Sequence, residues 1–290
     1  MNEIATILVN YNGLKDTIEC IKSIEVSTLK ADIIVVDNAS SDNDLEQIKT
    51  RFSNVIGIQS EYNLGFSGGN NLGIKYALKN GYKYIMLLNN DTIIDKEMIY
   101  KLKKHSTENC ICAPVMYYYD KPNLIWYGGG YINKYTGNAK HYFIKQDISE
   151  IDLNDLKKNI SSFATGCCWF LCSDIFKKIG FLEEKYFMYC EDTEFCIRLA
   201  LNNICIKLID DAKLWHKVSS STGGETSEFA VYYMTRNRLN YIKEYNKFFF
   251  FTAYPFSVFS RIYRMIEYTL KKDSRGKAIY KGIKDHLKNR

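Results

Sequence analysis

The 290-residue chain has no low-complexity linker, no internal repeat and, among its nine cysteines, no C-x-x-C pair. An odd cysteine count without paired spacing suggests no zinc ribbon and no disulfide framework, so most of the thiols are expected to be reduced core residues. Cys110 and Cys112 fall in one strand-like run; Cys167, Cys168 and Cys172 fall in another apolar stretch. No leader is expected: the N-terminus runs straight into Ile4, Ile7, Leu8 and Val9 with neither a basic n-region nor an apolar h-region of signal-peptide length. The chain is therefore expected to stay in the cytoplasm. Hydrophobic residues at 46% and charged residues at 25% match an ordinary globular composition and exclude disorder.

Two nucleotide motifs are missing as well. The first strand-to-helix turn, Val9-Asn10-Tyr11-Asn12-Gly13, holds one glycine where a dinucleotide site would carry G-x-G-x-x-G, and no G-x-x-x-x-G-K-[ST] occurs anywhere. The stretch from Gly65 to Gly73 is glycine-rich but fits neither template. Nicotinamide and P-loop chemistry fall away.

What is present is alternation. Across residues 3–115, strand-like runs (Ile4–Val9, Ile33–Val36, Val55–Ile58, Leu87-Leu88, Ile111–Val115) exchange with helical patterns, the third helix being expected over Leu72–Leu78 after a Gly-rich turn. This predicts an α/β fold with a Rossmann-like, mostly parallel sheet flanked by helices. The central stretch Tyr84-Ile85-Met86-Leu87-Leu88-Asn89-Asn90-Asp91 reads as a buried strand ending abruptly in polar groups. In an open parallel sheet ligands collect at the carboxyl ends of strands, so Asn90 and Asp91 are candidates for ligand contact, with an Asx turn as the alternative. Asn10-Tyr11-Asn12 and Asp37-Asn38 end two further strands. Tyr11 offers a flat ring to a base, Asp37 a carboxylate to a pyrimidine imide N–H, and Asp91 an oxygen to a hard divalent ion holding phosphates. Base, diphosphate and metal together suggest a nucleotide-sugar.

Val35-Val36-Asp37-Asn38-Ala39-Ser40, Asn63-Leu64-Gly65-Phe66, Gly69-Asn70-Asn71-Leu72-Gly73 and Leu88-Asn89-Asn90-Asp91, with the first turn, resemble the ordered motifs of family 2 glycosyltransferases, in particular the rhamnosyltransferase-like branch. The resemblance continues through Thr165-Gly166, Glu191-Asp192, Trp215-His216 and Arg236-Asn237, and so covers roughly residues 3–240. It implies a GT-A fold and hexosyltransferase activity. Val9, Tyr11, Asp37, Asn63, Asn71, Asn90 and Arg236 are the implied donor contacts, and Asp91 and His216 the implied holders of Mn²⁺ or Mg²⁺. Asn89 stands where the D-x-D-like motif has its first carboxylate, which predicts weaker or donor-dependent metal binding. Asp37 matches the position that reads uracil or thymine, favouring a UDP- or dTDP-sugar, with rhamnose the first guess.

In the second half, Glu191, Asp192 and Glu194 precede helical spacing at Phe195 and Leu199. From spacing alone the first two are N-terminal helix residues placed where negative charge is favourable. The resemblance makes Asp192 the base that takes the acceptor proton in an inverting transfer, with Glu191 as the alternative. His105, His141 and His286 sit in helical or polar surroundings and are expected at the surface. His216 reads either as a structural histidine or, by the resemblance, as a metal or diphosphate contact. Arg236 suits a diphosphate or a surface salt bridge. Residues 219–226, polar and Gly-rich, are expected to form a mobile loop over the donor.

The basic character lies at the end: ten Lys/Arg against three Asp/Glu from Arg261 to Arg290, and 29 against 30 before it. The aromatic run Phe248–Phe259 beside it is too short to span a bilayer. It reads either as a segment lying in the membrane interface or as a helix packed on the core. The expected layout is a nucleotide-sugar-binding half (1–115), an acceptor and catalytic half (116–240) and a basic aromatic helical segment (241–290). The leading expectation is an inverting glycosyltransferase extending a lipid-linked cell-surface glycan at the cytoplasmic face of the membrane. A nucleotidyltransferase would be expected to carry a Gly- and Lys/Arg-rich first turn for its triphosphate, and the turn Asn10-Tyr11-Asn12-Gly13 has no such cation. A nucleic-acid-binding protein rests on the tail alone, so no nucleic-acid partner is expected.

Overall fold

A computed structural model describes residues 2–158, 161–218 and 226–288. Strands β1 (Ile4–Asn10), β2 (Asp32–Asp37), β3 (Ile56–Gln59) and β4 (Tyr84–Leu88) alternate with helices α1 (Leu14–Glu25), α2 (Asp44–Arg51) and α3 (Gly65–Lys79). All pairings among these strands are parallel; Ile7 of β1 lies opposite both Ile34 and Leu87. Ile7, Ile34 and Leu87 are fully buried, as continuous apolar runs in a sheet covered on both faces require.

The chain continues through β5 (Thr92–Ile94), α4 (Met98–His105), β6 (Cys110–Tyr118), β7 (Lys121–Tyr127), β8 (Gly130–Asn133), β9 (Asn138–His141), α5 (Leu153–Lys158), β10 (Cys168–Cys172), α6 (Asp174–Ile179), α7 (Glu191–Leu201) and β11 (Cys205–His216). Helices α8 (Glu228–Glu244), α9 (Ala253–Leu270) and α10 (Arg275–Lys288) close it. The main sheet has the order β3-β2-β1-β4-β10-β6-β11-β5, with β7 paired to β6, while β8 and β9 form a separate hairpin sheet.

The expected parallel arrangement thus holds from β3 to β4, and the sheet as a whole is mixed. Strand β10 is antiparallel to both β4 and β6, and β11 is parallel to β6 but antiparallel to β5. Because β10 runs against β4, its beginning lies at the carboxyl end of β4, where the Asn89 amide donates to the Cys167 carbonyl at 2.8 Å. The antiparallel insertion brings residues far apart in sequence to one edge.

The Gly-rich stretch, expected as a turn, is the first half of α3. Its glycines let the helix lie close on β1. A Cβ at Gly69 would meet Val9 at 2.7 Å, and one at Gly73 would meet Ile7 at 2.5 Å. Glycine inside a helix costs about 1 kcal/mol against alanine, and the close helix-to-strand approach offsets it here.

Two further expectations are corrected. Cys110 and Cys205 form a disulfide, because they are register partners at the start of the parallel strands β6 and β11; cysteine spacing in the sequence says nothing of a neighbour 95 residues away. Cys20, Cys112, Cys167, Cys168 and Cys172 are buried thiols, as expected. His286 is buried rather than at the surface: its ring contacts the Asn240 Oδ1 atom at 2.6 Å and the Tyr254 hydroxyl at 2.9 Å.

That histidine ties α10 to α8 and α9, and the backbone of α8 also lies against Gly282. Helix α8 runs through residue 240, so the last segment begins inside a helix. One face of α9 is buried at Ala253, Ser257 and Arg261, while Phe256, Phe259, Tyr263, Ile266 and Leu270 on the opposite face are exposed. Among the described residues no helix is long and apolar enough to cross a membrane. Of the loop expected over 219–226, all but Thr226 lies outside the described residues.

Gly73→Ala is expected to lower unfolding stability by about 1–3 kcal/mol through overpacking against Ile7, read as a lower urea midpoint with an unchanged slope; an unchanged midpoint would show that α3 has room to move off β1.

Candidate active site

Polar residues at the carboxyl ends of β1, β2 and β4 are tied into one network. The Asn10 side-chain amide donates to Asp37 at 3.0 Å, Ser40 at 3.0 Å and Asp44 at 2.9 Å. Its oxygen accepts from the Thr17 hydroxyl at 2.7 Å, and that hydroxyl accepts from the Asn90 amide at 2.8 Å. Each of these buried groups is satisfied by another, which fixes the three strand ends relative to one another. Gly13 completes the fit, since a Cβ there would meet the Asn90 amide nitrogen at 2.7 Å.

Above these strand ends opens a cleft of about 560 Å³. Val9, Tyr11, Asn38, Asn63 and the start of α3 form one wall; Asn89, Asn90 and Asp91 form the floor; Gly166, Glu191, Asp192 and His216 form the other side. The N-terminus of α3 faces the cleft through Gly65 and Phe66, where its dipole favours negative charge.

Asp91 and His216 come together through strand pairing. Thr92 of β5 lies opposite His216 of β11, and the Lys217 amide donates to the Asp91 carbonyl at 3.0 Å. His216 Nε2 sits 3.1 Å from Asp91 Oδ1, and His216 Nδ1 is buried with no hydrogen-bond partner among the described residues. The Nε2 nitrogen and the carboxylate oxygen, 3.1 Å apart, can share a divalent ion that takes its other ligands from substrate phosphates. Among the described residues no third histidine, cysteine, aspartate or glutamate joins them.

Glu191 and Asp192 occupy the first turn of α7, after a loop in which Phe187, Tyr189 and Cys190 all have positive φ, at 62°, 65° and 71°. Non-glycine residues hold such angles only where the surroundings enforce them. Asn237 of α8 does so. Its buried amide donates to the carbonyls of Tyr186, Met188 and Tyr189 at 2.8–2.9 Å. Asp192 accepts from the Thr193 amide at 2.6 Å and the Gly166 amide at 3.3 Å. Burial pushes the Asp192 carboxyl upward against those donors. Burial, then the neighbouring Asp192 charge, pushes Glu191 upward as well, and Glu191 Oε2 has no hydrogen-bond partner among the described residues. Glu194 plays no part in the cleft: it is fully buried and paired with Arg198 at 2.7 Å.

The structure brings Val9, Tyr11, Asn63, Asn90, Asp91, Glu191, Asp192 and His216 to one cleft. Three expected donor contacts lie elsewhere. Asn71 donates to the Leu182 carbonyl and Glu184, both at 2.9 Å, bracing α3 against the chain before α7. Arg236 donates to the Lys185 carbonyl at 2.9 Å and the Tyr186 carbonyl at 3.2 Å, holding the same loop as Asn237. Asp37 is buried behind the cleft, accepting from Ser40 and Gln59 as well as Asn10. Missed altogether was His141, expected at the surface. It lines the cleft because β9 folds its ring against Trp126, edge-on at 5.1 Å, and Trp126 also packs on His216 at 4.5 Å. Nothing in the polar run around His141 signals that contact.

A sequence model described as Glycosyl transferase family 2 matches residues 6–180. The chain is 30% identical over 244 residues to the low-salt glycan biosynthesis hexosyltransferase Agl10 of Haloferax volcanii, covering 82% of this chain and 75% of that protein. It is 24% identical over 231 residues to the dTDP-rhamnosyl transferase RfbF of Shigella flexneri, with shares of 76% and 71%. Among solved structures it is similar to GalNAc-T7 with UDP, GalNAc and Mn²⁺, at a TM-score of 0.65 and 14% identity, covering 84% of this chain and about half, 49%, of that one. It is similar also to S. aureus TarS 1-349 in complex with UDP-GlcNAc, at a TM-score of 0.55 and 19% identity, with shares of 83% and 66%. At these identities the structural likeness shows the fold alone, the GT-A arrangement.

Proposed function

The chain belongs to glycosyl transferase family 2 and is a glycosyltransferase that uses a nucleotide-sugar; we propose that it inverts the transferred sugar and passes it from a UDP- or dTDP-linked donor to a growing, lipid-linked cell-surface glycan. The observation that carries the inverting reading is the pairing, across one cleft, of Asp91 with His216 on the floor side and Asp192 at the start of α7. Rhamnose is the favoured sugar, supported by the likeness to the Shigella flexneri dTDP-rhamnosyl transferase.

Tyr11, 43% exposed at the rim, gives the base a ring to stack on. The diphosphate lies toward the N-terminus of α3, where backbone amides and the helix dipole favour its charge. Asp192 then accepts the proton of the acceptor hydroxyl as its oxygen attacks the anomeric carbon from the face opposite the nucleotide. Desolvation suits this role, because a carboxylate with a raised pKa is a stronger base. Asp91 and His216 would hold a divalent cation, Mn²⁺ or Mg²⁺, which when bound neutralises charge on the departing diphosphate. Phe66 and Trp126 add apolar surface that limits water at the reacting centre.

The exposed stripe on α9 supports work at a membrane. Phe256, Phe259, Tyr263, Ile266 and Leu270 recur at alternating spacings of three and four, so they share one helical face. The excess of Lys/Arg from Arg261 onward complements an anionic lipid surface. On this reading the chain rests on the cytoplasmic leaflet, where a lipid-linked acceptor is held.

Asp192→Asn is expected to abolish transfer while leaving nucleotide binding nearly intact; equal loss of both would remove the base assignment. In the wild type, transfer should rise with pH along a limb displaced above the ordinary aspartate value of about 4, since burial holds the proton on Asp192 and the deprotonated form is the active one. Calorimetric titration of UDP, dTDP and GDP with and without Mn²⁺ should show metal-dependent binding of a pyrimidine diphosphate that Asp91→Ala loses. Absence of binding by both pyrimidine nucleotides would reject the donor class. The double variant Phe259→Glu, Tyr263→Glu should sediment less with phosphatidylglycerol vesicles than the wild type, and equal sedimentation would remove the membrane contact.

A further inference from the structure

A second groove, about 370 Å³ in volume, opens between α8 and α10. Phe229, Tyr232 and Tyr233 of α8 line one side, and they share a helical face because they stand three and four residues apart. Lys277 and Lys281, one turn apart on α10, line the other, where Ala278 adds only a methyl group. Glu228, in the first turn of α8, contributes a carboxylate. The volume falls within the range of about 300–1,000 Å³ usual for small-molecule sites. The transfer step uses neither the lysines nor Tyr232.

The groove continues the cleft. Phe229, 40% exposed, lines both. Its ring stands 4.7 Å from that of Tyr233, which in turn stacks at 5.3 Å on Phe187 of the cleft. Tyr232 follows, edge-on to Tyr233 at 4.8 Å. Aromatic rings thus run without a break from the cleft to α10, and both tyrosines are held in place. The Tyr232 hydroxyl donates to Asp285 of α10 at 2.8 Å, and the Lys281 ammonium sits 5.0 Å from the Tyr232 ring centroid. The Arg236 guanidinium lies 4.8 Å from the Tyr233 centroid. Among the described residues neither Lys277 nor Lys281 is ion-paired with a carboxylate, whereas Lys271 is paired with Glu267 at 2.6 Å. The two ammonium groups therefore have donors to offer a ligand.

We propose that this groove is a saccharide subsite, which holds a pyranose ring of the acceptor glycan beyond the sugar whose hydroxyl reacts. The wall matches that ligand in each of its parts. A pyranose presents C–H faces that pack on aromatic rings, and a rim of hydroxyls that both donate and accept. Phe229, Tyr232 and Tyr233 supply the faces, Lys277 and Lys281 donate to hydroxyl oxygens, and Glu228 accepts from hydroxyl protons. An anion would be repelled by Glu228, and a wholly apolar ligand would bury both ammonium groups without partners. This assignment rests on the glycosyltransferase reading above and adds to it a dependence on acceptor length.

The test uses the full chain saturated with UDP and Mn²⁺, and titrates cellotetraose, mannotetraose and rhamnotetraose, each beside its methyl monosaccharide, by calorimetry. At least one tetrasaccharide should bind at least about tenfold more tightly than its monosaccharide, because only the longer ligand spans cleft and groove together. The double variant Lys277→Gln, Lys281→Gln should lower that tetrasaccharide's affinity by about tenfold and leave UDP and monosaccharide affinities unchanged. Ala278→Trp should act in the same way by filling the groove. The double variant Lys284→Gln, Lys288→Gln removes the same charge from α10 outside the groove and should change nothing. Lys277 and Lys281 are exposed, so their variant keeps the test sound if Ala278→Trp melts at a lower temperature. UDP binding with no tetrasaccharide held more tightly than its monosaccharide overturns the subsite alone; failure of UDP itself overturns the donor reading beneath it. Equal affinity of the groove variants and the wild type overturns the subsite. So does an equal loss in the Lys284, Lys288 variant, which would make the contact a general attraction to α10.

Discussion

A single buried side chain holds the catalytic side of the cleft in shape. The Asn237 amide is shared among the carbonyls of Tyr186, Met188 and Tyr189, and Arg236 adds the carbonyls of Lys185 and Tyr186. The loop they grip contains three non-glycine residues with positive φ, each costing on the order of 1–3 kcal/mol. Without that grip the loop has every reason to relax. With it, Cys190 starts α7 at the angle that turns Glu191 and Asp192 into the cleft. The same loop reaches the donor side: the Phe187 carbonyl accepts from the Phe66 amide at 2.7 Å, at the first turn of α3. Gly65 makes this possible, with φ of +70° and no Cβ to strike the Phe187 carbonyl. One asparagine therefore sets the distance between the N-terminus of α3 and the carboxylates that open α7.

The donor side is held by different means. Its strand ends are locked by the Asn10, Thr17 and Asn90 network, and its helix is drawn onto β1 by glycines at 69 and 73. Both devices are rigid, as a site that recognises a charged, multi-part ligand requires. The sheet joins the two sides. Because β10 runs antiparallel beside β4, Gly166 arrives at the end of that strand, between the Phe66 ring and Asp192, where a Cβ would stand 3.1 Å from the ring and 3.6 Å from the Asp192 Cβ. A larger residue there would force apart the two groups that the cleft must keep close.

The last three helices divide their labour in the same way. Helix α8 is a brace toward the cleft and a core element toward α10. The buried face of α9 packs under the β8–β9 turn, while its other face leaves large apolar side chains in the open.

The sequence by itself determined the α/β alternation of the first half, since apolar period and turn chemistry are local. It also determined which strand ends carry polar groups, and that Glu191 and Asp192 open a helix. The tertiary structure alone decided what several polar residues are for. Asn71 and Arg236 look, in sequence, the same as residues that bind phosphate or sugar, because amides and guanidiniums donate equally well to a ligand oxygen and to a backbone carbonyl; only the fold puts the carbonyls of Leu182, Lys185 and Tyr186 within their reach. His141 entered the cleft, and Cys110 met Cys205, through partners distant in sequence that leave no periodic trace. Local pattern shows where the apolar strands and amphipathic helices run. The identity of a residue's neighbour is decided by where the chain returns.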